Sequence, residues 1–461
     1  MAGLMLQRRF LWPFILVAAL LPASGWAHAT DQAFVLLLPT DVYVGAGVAT
    51  VALTVLALFA LPETVTRNLF LHRPRSAPSR PQFWPHLTSV MSFVALAALI
   101  AIGIAGPRDP LSNAMPLSFW TLGWIGLITL SGFIGNLWAW LNPWTGLYAW
   151  LDPPWKTLDL SDRLGLWPVT LLLLGFTAFI LADVAPDDPY RLALAVGAYW
   201  CLTMLGLLAF GPPWLKQVEL GRAIMAAYGK LTASASHGFG LPGWQVLAQD
   251  PRAASGLFAL TLLAAGSFDG LNETFWWLAQ IGVNPLEFPG RSAVILPTLA
   301  GLAGSVGFLL VVFSATIFLG LRIARSDVPF QPVFGHMALC LLPIALVYHI
   351  SHYLTSFLVS IQYTIATFND PLNVGADLFG IEPFRVTTGF FNRLDWVRAI
   401  WLTQAGLVVL GHVWSVLLSH RVALQYFPEP RRAAWATLPL SIFMIAYTLL
   451  GLWLLAAPRG A

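Results

Sequence analysis

The sequence predicts an all-α fold: a polytopic helical bundle of about ten transmembrane helices, set in the inner membrane of a bacterium. Three observations predict it. Of 461 residues 58% are hydrophobic and only 10% are charged, whereas soluble domains carry about a quarter charged residues. The apolar residues fall into runs near the ~20 residues a helix needs to cross ~30 Å of hydrocarbon. The basic residues sort to alternate loops. Such a chain cannot cover a water-facing surface with polar groups, which excludes a soluble enzyme, a disordered protein and a nucleic-acid binder. The lipid bilayer is its first partner.

The amino terminus reads as a secretory signal over residues 1–29. Arg8 and Arg9 supply the basic start, Phe10 to Leu21 a short apolar core, and Ala27-His28-Ala29 a small-x-small cleavage pattern. Pro13 and Pro22 make this run a poor span. The remainder, 30–461, is expected to form one transmembrane domain.

Hydrocarbon forces the backbone to satisfy its own hydrogen bonds, so the runs should be helices. They cover about 43–61, 87–106, 117–139, 166–184, 192–210, 254–268, 294–321, 334–360, 397–420 and 434–456. With Thr30 outside, fifteen Lys and Arg lie in the loops after odd-numbered spans. Seven lie on the other side, and Arg8 and Arg9 complete the 24. That bias follows the positive-inside rule and puts both termini in the periplasm. Two loops are longer than the rest: 211–253 on the cytoplasmic side and 361–396 on the periplasmic side. Within the first, Trp214 to Leu231 has helical periodicity and is expected to lie on the membrane surface. Trp138, Trp140, Trp144, Trp150, Trp155, Trp276 and Trp277 cluster at span ends, as an interfacial belt would. Gly301, Gly304 and Gly307 read as small-residue helix contacts. No long internal repeat marks an inverted-repeat transporter.

Ionisable groups inside a membrane are costly and point to function. Five of the nine histidines fall in two consecutive spans: His336, His349 and His352 in one, His412 and His420 in the next. His349 and His352 are about 60° and about 4.5 Å apart on a helix and share a face, flanked by Tyr348 and Tyr353. His336 lies about 20 Å away along the same span. His412, on an antiparallel neighbour, sits near mid-membrane. Neutral imidazole is the commonest metal ligand, and three histidines with an open position suit catalytic zinc. His349, His352 and His412 are therefore the candidate ligands of a divalent metal, with haem as a competing cofactor. Each histidine also has an ordinary reading as a hydrogen-bonding bundle residue. Asp269 and Glu273, four residues apart in the segment Ser267-Phe-Asp-Gly-Leu-Asn-Glu-Thr274, share a helix face and are the candidate catalytic residues, as outer-shell partners of the metal or as a general base for a metal-bound water. The competing reading makes Asp269 the cap of a short interfacial helix. Asp183 and Gln362 are polar residues at span ends on the same side. Cys201 and Cys340 form no CxxC motif, and no Walker A, GxSxG or HExxH sequence is present.

The run Leu117-Ser-Phe-Trp-Thr-Leu-Gly-Trp-Ile-Gly126 with Asn142-Pro143-Trp144, the Ser267-Phe-Asp-Gly-Leu271 segment, Ser351-His352-Tyr353, and Gly411-His412 with Ser419-His420-Arg421 resemble a bacterial family of multi-span proteins, fenitrothion hydrolase membrane component. The resemblance implies hydrolysis of an organophosphorus triester, a small-molecule substrate, and a partner protein. It identifies no catalytic residue. Two other classes compete: a permease for a small or apolar substrate, and a haem- or copper-binding electron-transfer protein.

Overall fold

A computed structural model describes residues 38–75, 83–153, 157–236, 238–249, 252–381 and 383–459. The expected signal peptide, 1–29, lies outside them. Among the described residues, nine helices are long and apolar enough to span a bilayer, and Trp167–Ala182 is a shorter apolar tenth. The protein is an all-α, multi-pass membrane bundle, with ten helices where ten runs were expected. In chain order, with Phe330–Asn369 divided into its two parts and one short non-spanning helix included, the helices are α1 (Thr40–Ala60), α2 (Phe83–Ala105), α3 (Ala114–Ile134), α4 (Trp167–Ala182), α5 (Pro189–Phe210), the short α6 (Leu220–Gly229), α7 (Ala253–Asn272), α8 (Ile295–Ile323), α9 (Phe330–Leu339), α10 (Leu342–Asn369), α11 (Leu394–Tyr426) and α12 (Pro430–Ala456).

The span expected at 334–360 is two helices, α9 and α10, broken at Cys340–Leu341. Pro343 stands in the first turn of α10. Its ring would crowd the carbonyl of Leu339 and it lacks an N–H, so the ladder is interrupted there. α7, whose polar end made it the weakest of the expected spans, is largely buried among α4, α8, α9 and α10. Its polar residues are central to the bundle, not marginal to it.

Close helix approach is set by glycine. A Cβ on Gly411 would lie against Val347 and 3.1 Å from the Pro343 carbonyl, which fixes the crossing of α10 and α11. The same pair is bonded reciprocally: Ser351 Oγ donates to the Gln404 carbonyl (3.0 Å) and Gln404 Nε2 to the Ser351 carbonyl (2.7 Å). Of the three expected contact glycines, only Gly301 meets neighbours, Phe268 and Trp277. Gly304 and Gly307 face open space.

Two further expectations are corrected. α6 does not lie on a surface. Leu220, Ile224, Met225, Ala227 and Tyr228 are buried in the main core, and the carboxylate of Glu219 caps the helix at the amides of Gly221 (2.8 Å) and Arg222 (2.7 Å). Not all the tryptophans form a belt. Trp150 and Trp276 are exposed, but Trp144 is buried with its Nε1 on the Trp200 carbonyl, and Trp138 donates to Glu219 at 2.7 Å. Trp155 lies outside the described residues.

The loops separate into two sets, one at each end of the bundle. At one end, a small antiparallel sheet with strand order β1-β3-β2 joins β1 (His72–Pro74), β2 (Ser234–Ala235) and β3 (Gly238–Gly240). Arg67 donates to the Pro428 carbonyl (2.6 Å), Arg421 to Leu69 (3.2 Å) and Arg432 to Ala324 (2.8 Å). These bonds gather loops that follow the first, fifth, seventh and ninth expected spans. At the other end Arg291 reaches the carbonyls of Ile180 (3.0 Å) and Asp183 (3.2 Å), and the Phe275 amide bonds the Pro458 carbonyl (3.0 Å).

Candidate functional site

The second end opens into a vestibule of about 610 Å³. Its rim carries Arg108, Asp187 and Arg291, and its floor is formed by Trp124 of α3 and Tyr353 of α10. Small-molecule sites typically span about 300–1,000 Å³, so the vestibule is of ligand size. Beneath the floor lies an inner cavity of about 40 Å³, lined by Asp269, Tyr348, His349 and His352 and again by Trp124 and Tyr353. At ~10–15 Å³ per water it has room for about three waters and for no organic substrate. Trp124 and Tyr353, with Ile180, are thus the wall between a ligand-sized outer space and a water-sized inner one.

Asp269 is the centre of the inner cavity. It accepts from Tyr353 Oη at 2.6 Å and lies 3.1 Å from His352 Nε2, both on the same oxygen, Oδ2. It is buried in the last turn of α7 and caps no helix. The cap of the following short helix, Phe275–Gln280, is Thr274, whose Oγ1 accepts from the Trp277 amide. Gly270 makes room for the site, since a Cβ there would collide with the Tyr348 hydroxyl. Tyr348 in turn stacks on His352, with ring centroids 5.9 Å apart and planes 9° from parallel.

The partners of the three candidate metal ligands fix the tautomer of each neutral ring. A carbonyl or carboxylate oxygen only accepts, so the ring nitrogen facing it carries the hydrogen and the other keeps its lone pair. His349 Nε2 lies 3.0 Å from the Trp124 carbonyl, which leaves Nδ1 bare. His352 Nε2 faces Asp269, which leaves Nδ1 bare, buried and without a hydrogen-bond partner among the described residues. His412 Nδ1 bonds the Val408 carbonyl at 2.8 Å, which leaves Nε2 bare, buried and equally unpartnered.

The three rings do not share one chamber. His349 and His352 line the inner cavity. His412 lines a separate small cavity of about 10 Å³ with Ser267, Tyr348 and Tyr447. Among the described residues no group of three His, Cys, Asp or Glu side chains is disposed to hold a metal ion. Glu273 is also apart from Asp269's cluster. It is half-exposed at the end of α7, 3.7 Å from Arg459 Nη1. His336 is bonded at both nitrogens, to the Val246 carbonyl (2.9 Å) and to Tyr426 Oη (3.2 Å).

The polar residues at span ends have structural partners. Burial presses the Asp183 carboxyl upward, but the Ala185 amide, the Arg191 guanidinium at 2.6 Å and Arg291 outweigh it and hold the group below the usual carboxylate range. Gln362 bonds both the amide and the carbonyl of Thr387 and so ties the long loop after α10 back to that helix.

Two residues of the site escaped the reading of the sequence. Trp124 belongs to a stretch of α3, Leu117–Leu127, wound as a π-helix. Such windings are rare and recur at functional sites, but no residue pattern announces them. Tyr353 was visible only as a neighbour of His352. Its signal is its own spacing: at i+4 from His349 it shares that ring's face.

Set against protein-family profiles, curated proteins and solved structures, the chain matches none of them.

Proposed function

We propose that the protein is a membrane-embedded hydrolase acting at the periplasmic face on a small, largely apolar ester, with organophosphorus triesters as the first class to assay. One observation carries this reading. A histidine oriented by a carboxylate, its other nitrogen bare, lines a water-sized cavity whose wall is shared with a ligand-sized vestibule. That is the arrangement of a general base acting on water. His352 Nδ1 takes a proton from a water of the inner cavity as that oxygen bonds to phosphorus and the ester oxygen leaves with its electron pair. Asp269 stabilises the imidazolium that forms. Tyr353, bonded to Asp269 and facing the vestibule, holds the substrate edge and excludes bulk water. The imidazolium then returns its proton to the departing oxygen.

A divalent cation is the alternative to this histidine base: held at the Nδ1 atoms of His349 and His352, it would use the lone pair that the base needs and would supply a bound water of lowered pKa instead. The orienting carbonyl and carboxylate behind these rings are what such ligands require. His412, the third ligand expected, lines the other cavity and would not complete the set without movement.

The test is release of nitrophenol from a nitrophenyl phosphorothioate by membranes containing the full chain. Asp269→Asn and His352→Gln are expected to lower the rate by about 10²–10⁴-fold, the size of a general-base contribution. Release no faster than from membranes lacking the protein overturns the reading. Metal content of the purified wild type and His349→Ala tests the cation separately, and a Soret band in the same sample would move the assignment to haem.

A second reading is a permease. The arrangement in series of vestibule, aromatic wall and inner cavity is also that of an outward-facing carrier with its gate closed, and counterflow in proteoliposomes tests it.

A further inference from the structure

The three-stranded sheet at the end away from the vestibule has two unlike faces. In its register Arg73 and Ser234 both stand opposite Phe239 of β3, so these three side chains share one face. The other face belongs to the bundle. A Cβ on Gly238 or Gly240 would lie 3.1 or 2.9 Å from the ring of Trp244, which is buried in the main core and stacks on His72 with ring centroids 4.5 Å apart. The Phe239 face is uncovered. Phe239 is 60% exposed, and Leu71 and Leu241, which extend β1 and β3 by one residue each, are 55% and 52% exposed. The side chains of Arg73 and Arg75 are exposed beside them and have no ion pair or hydrogen bond among the described residues.

The depth of this face is set by its contacts with α11. Trp414 Nε1 donates to the Pro242 carbonyl at 2.8 Å, and a Cβ on Gly243 would lie 3.0 Å from that nitrogen and 3.4 Å from Leu418. Both α11 residues fall inside the apolar run 397–420, Trp414 about 9 Å from its end. Arg421, just past that end, holds the Leu69 carbonyl at 3.2 Å. The turn after β3 and the entry to β1 are therefore tied to the boundary of the hydrocarbon, and Arg73 and Arg75 follow two and four residues beyond Leu71. Exposed apolar side chains at that depth meet acyl chains rather than water. The charge is also of one sign. The chain has no acidic residue between Glu63 and Asp109, or between Glu219 and Asp250, the two segments that supply the sheet. Apolar residues beside basic ones are the pattern that binds an anionic lipid surface.

We propose that the outer face of this sheet is a binding site for anionic phospholipid in the leaflet opposite the vestibule. Leu71, Phe239 and Leu241 pack on acyl chains, and Arg73 and Arg75 bind the headgroup phosphate. A planar guanidinium pairs with two phosphate oxygens at once, whereas a zwitterionic headgroup carries its own ammonium, which competes for them. Trp244, with Gly238 and Gly240 above it, holds the strands against the bundle, so the lipid meets a preformed surface. The site is shared by the loops after α1 and α6, and a lipid seated on it bridges two distant parts of the chain. It stands whatever reaction the vestibule performs.

The test has two arms, both on the full chain. In the first, Phe239→Cys on a Cys201→Ser background carries a nitroxide label in vesicles of phosphatidylcholine and phosphatidylglycerol; the other cysteine, Cys340, is buried. The label is expected to collide more with dissolved oxygen than with a water-soluble nickel chelate, and the reverse is expected of Leu378→Cys, exposed in the loop after α10. Leu71→Cys gives the same measurement if Phe239→Cys fails to insert. In the second arm, native mass spectrometry counts the lipid retained by protein released from the same vesicles. The wild type should keep phosphatidylglycerol in preference to phosphatidylcholine. Arg73→Gln with Arg75→Gln should weaken that preference by about five-fold per arginine, the attraction of one basic residue to an anionic surface. A label as open to the chelate as that at Leu378→Cys overturns the proposal, and so does one shielded from both reagents, as at a protein contact. A wild type without preference, or a preference unchanged in the double variant, overturns it equally. Neither readout uses the hydrolysis, so failure of the vestibule reading would leave both standing.

Discussion

At the residue scale, single groups decide the site more than the number of polar residues does. Asp269 and Glu273 are one helical turn apart. One is buried with two donors on the same oxygen and the other is half-exposed beside Arg459. The difference is made partly by Gly270. Its missing side chain admits the Tyr348 hydroxyl, which brings the ring parallel to His352. Gly270→Ala is expected to cost about 1–3 kcal/mol as an overpacked position and to abolish activity by displacing Tyr348. Tyr348→Phe removes the colliding atom, so the double variant should recover stability. Thermal unfolding in detergent of the two singles and the double measures the coupling. Additive losses would mean that the glycine is not there for the tyrosine.

At the scale of elements, the helices were legible and their faces were not. Apolar runs marked all ten spans, because a helix in lipid needs length and little else. Rotation about the axis was hidden, because lipid-facing and core-facing positions are both apolar. Hence His412 could be placed at the depth of His349 but not in or out of its cavity. The break before α10 was legible in principle, since Pro343 carries it. The π-winding of α3 was not, because Leu, Trp and Gly serve either helix type. Backbone approach also outranks hydrogen bonding between α10 and α11. Removing one interhelical hydrogen bond in a membrane costs about 0.6 kcal/mol, whereas a methyl group forced between backbones costs about 1–3 kcal/mol. Gln404→Leu should therefore unfold at nearly the wild-type temperature and Gly411→Val well below it. The reverse order, read by the same thermal scan, would show that the Ser351–Gln404 clamp holds the crossing.

For the whole molecule, the structure adds an independent check on the charge count. The loops expected on one side are bonded to one another, through the three-stranded sheet and the Arg67, Arg421 and Arg432 contacts, and the vestibule lies at the other end. A missed span would have put these loops at opposite ends. That pairing says which loops share a side, and the positive-inside rule predicts that the side rich in Lys and Arg faces the cytoplasm. An impermeant maleimide applied to intact spheroplasts should label Leu378→Cys and leave Arg325→Cys unlabelled. Labelling of Arg325→Cys alone would reverse the orientation.

The packing of α1 bears on how the bundle is made. α1 lies against α11 and α12, the last two helices of the chain, and Arg67 just beyond it is held by Pro428. Those partners are not made until residues 394–456 have been translated. Until then α1 must sit in the bilayer without them, with lipid on the face that will later be protein. Its almost unbroken apolar sequence, with no charge from Val42 to Pro62, is what such a delay demands.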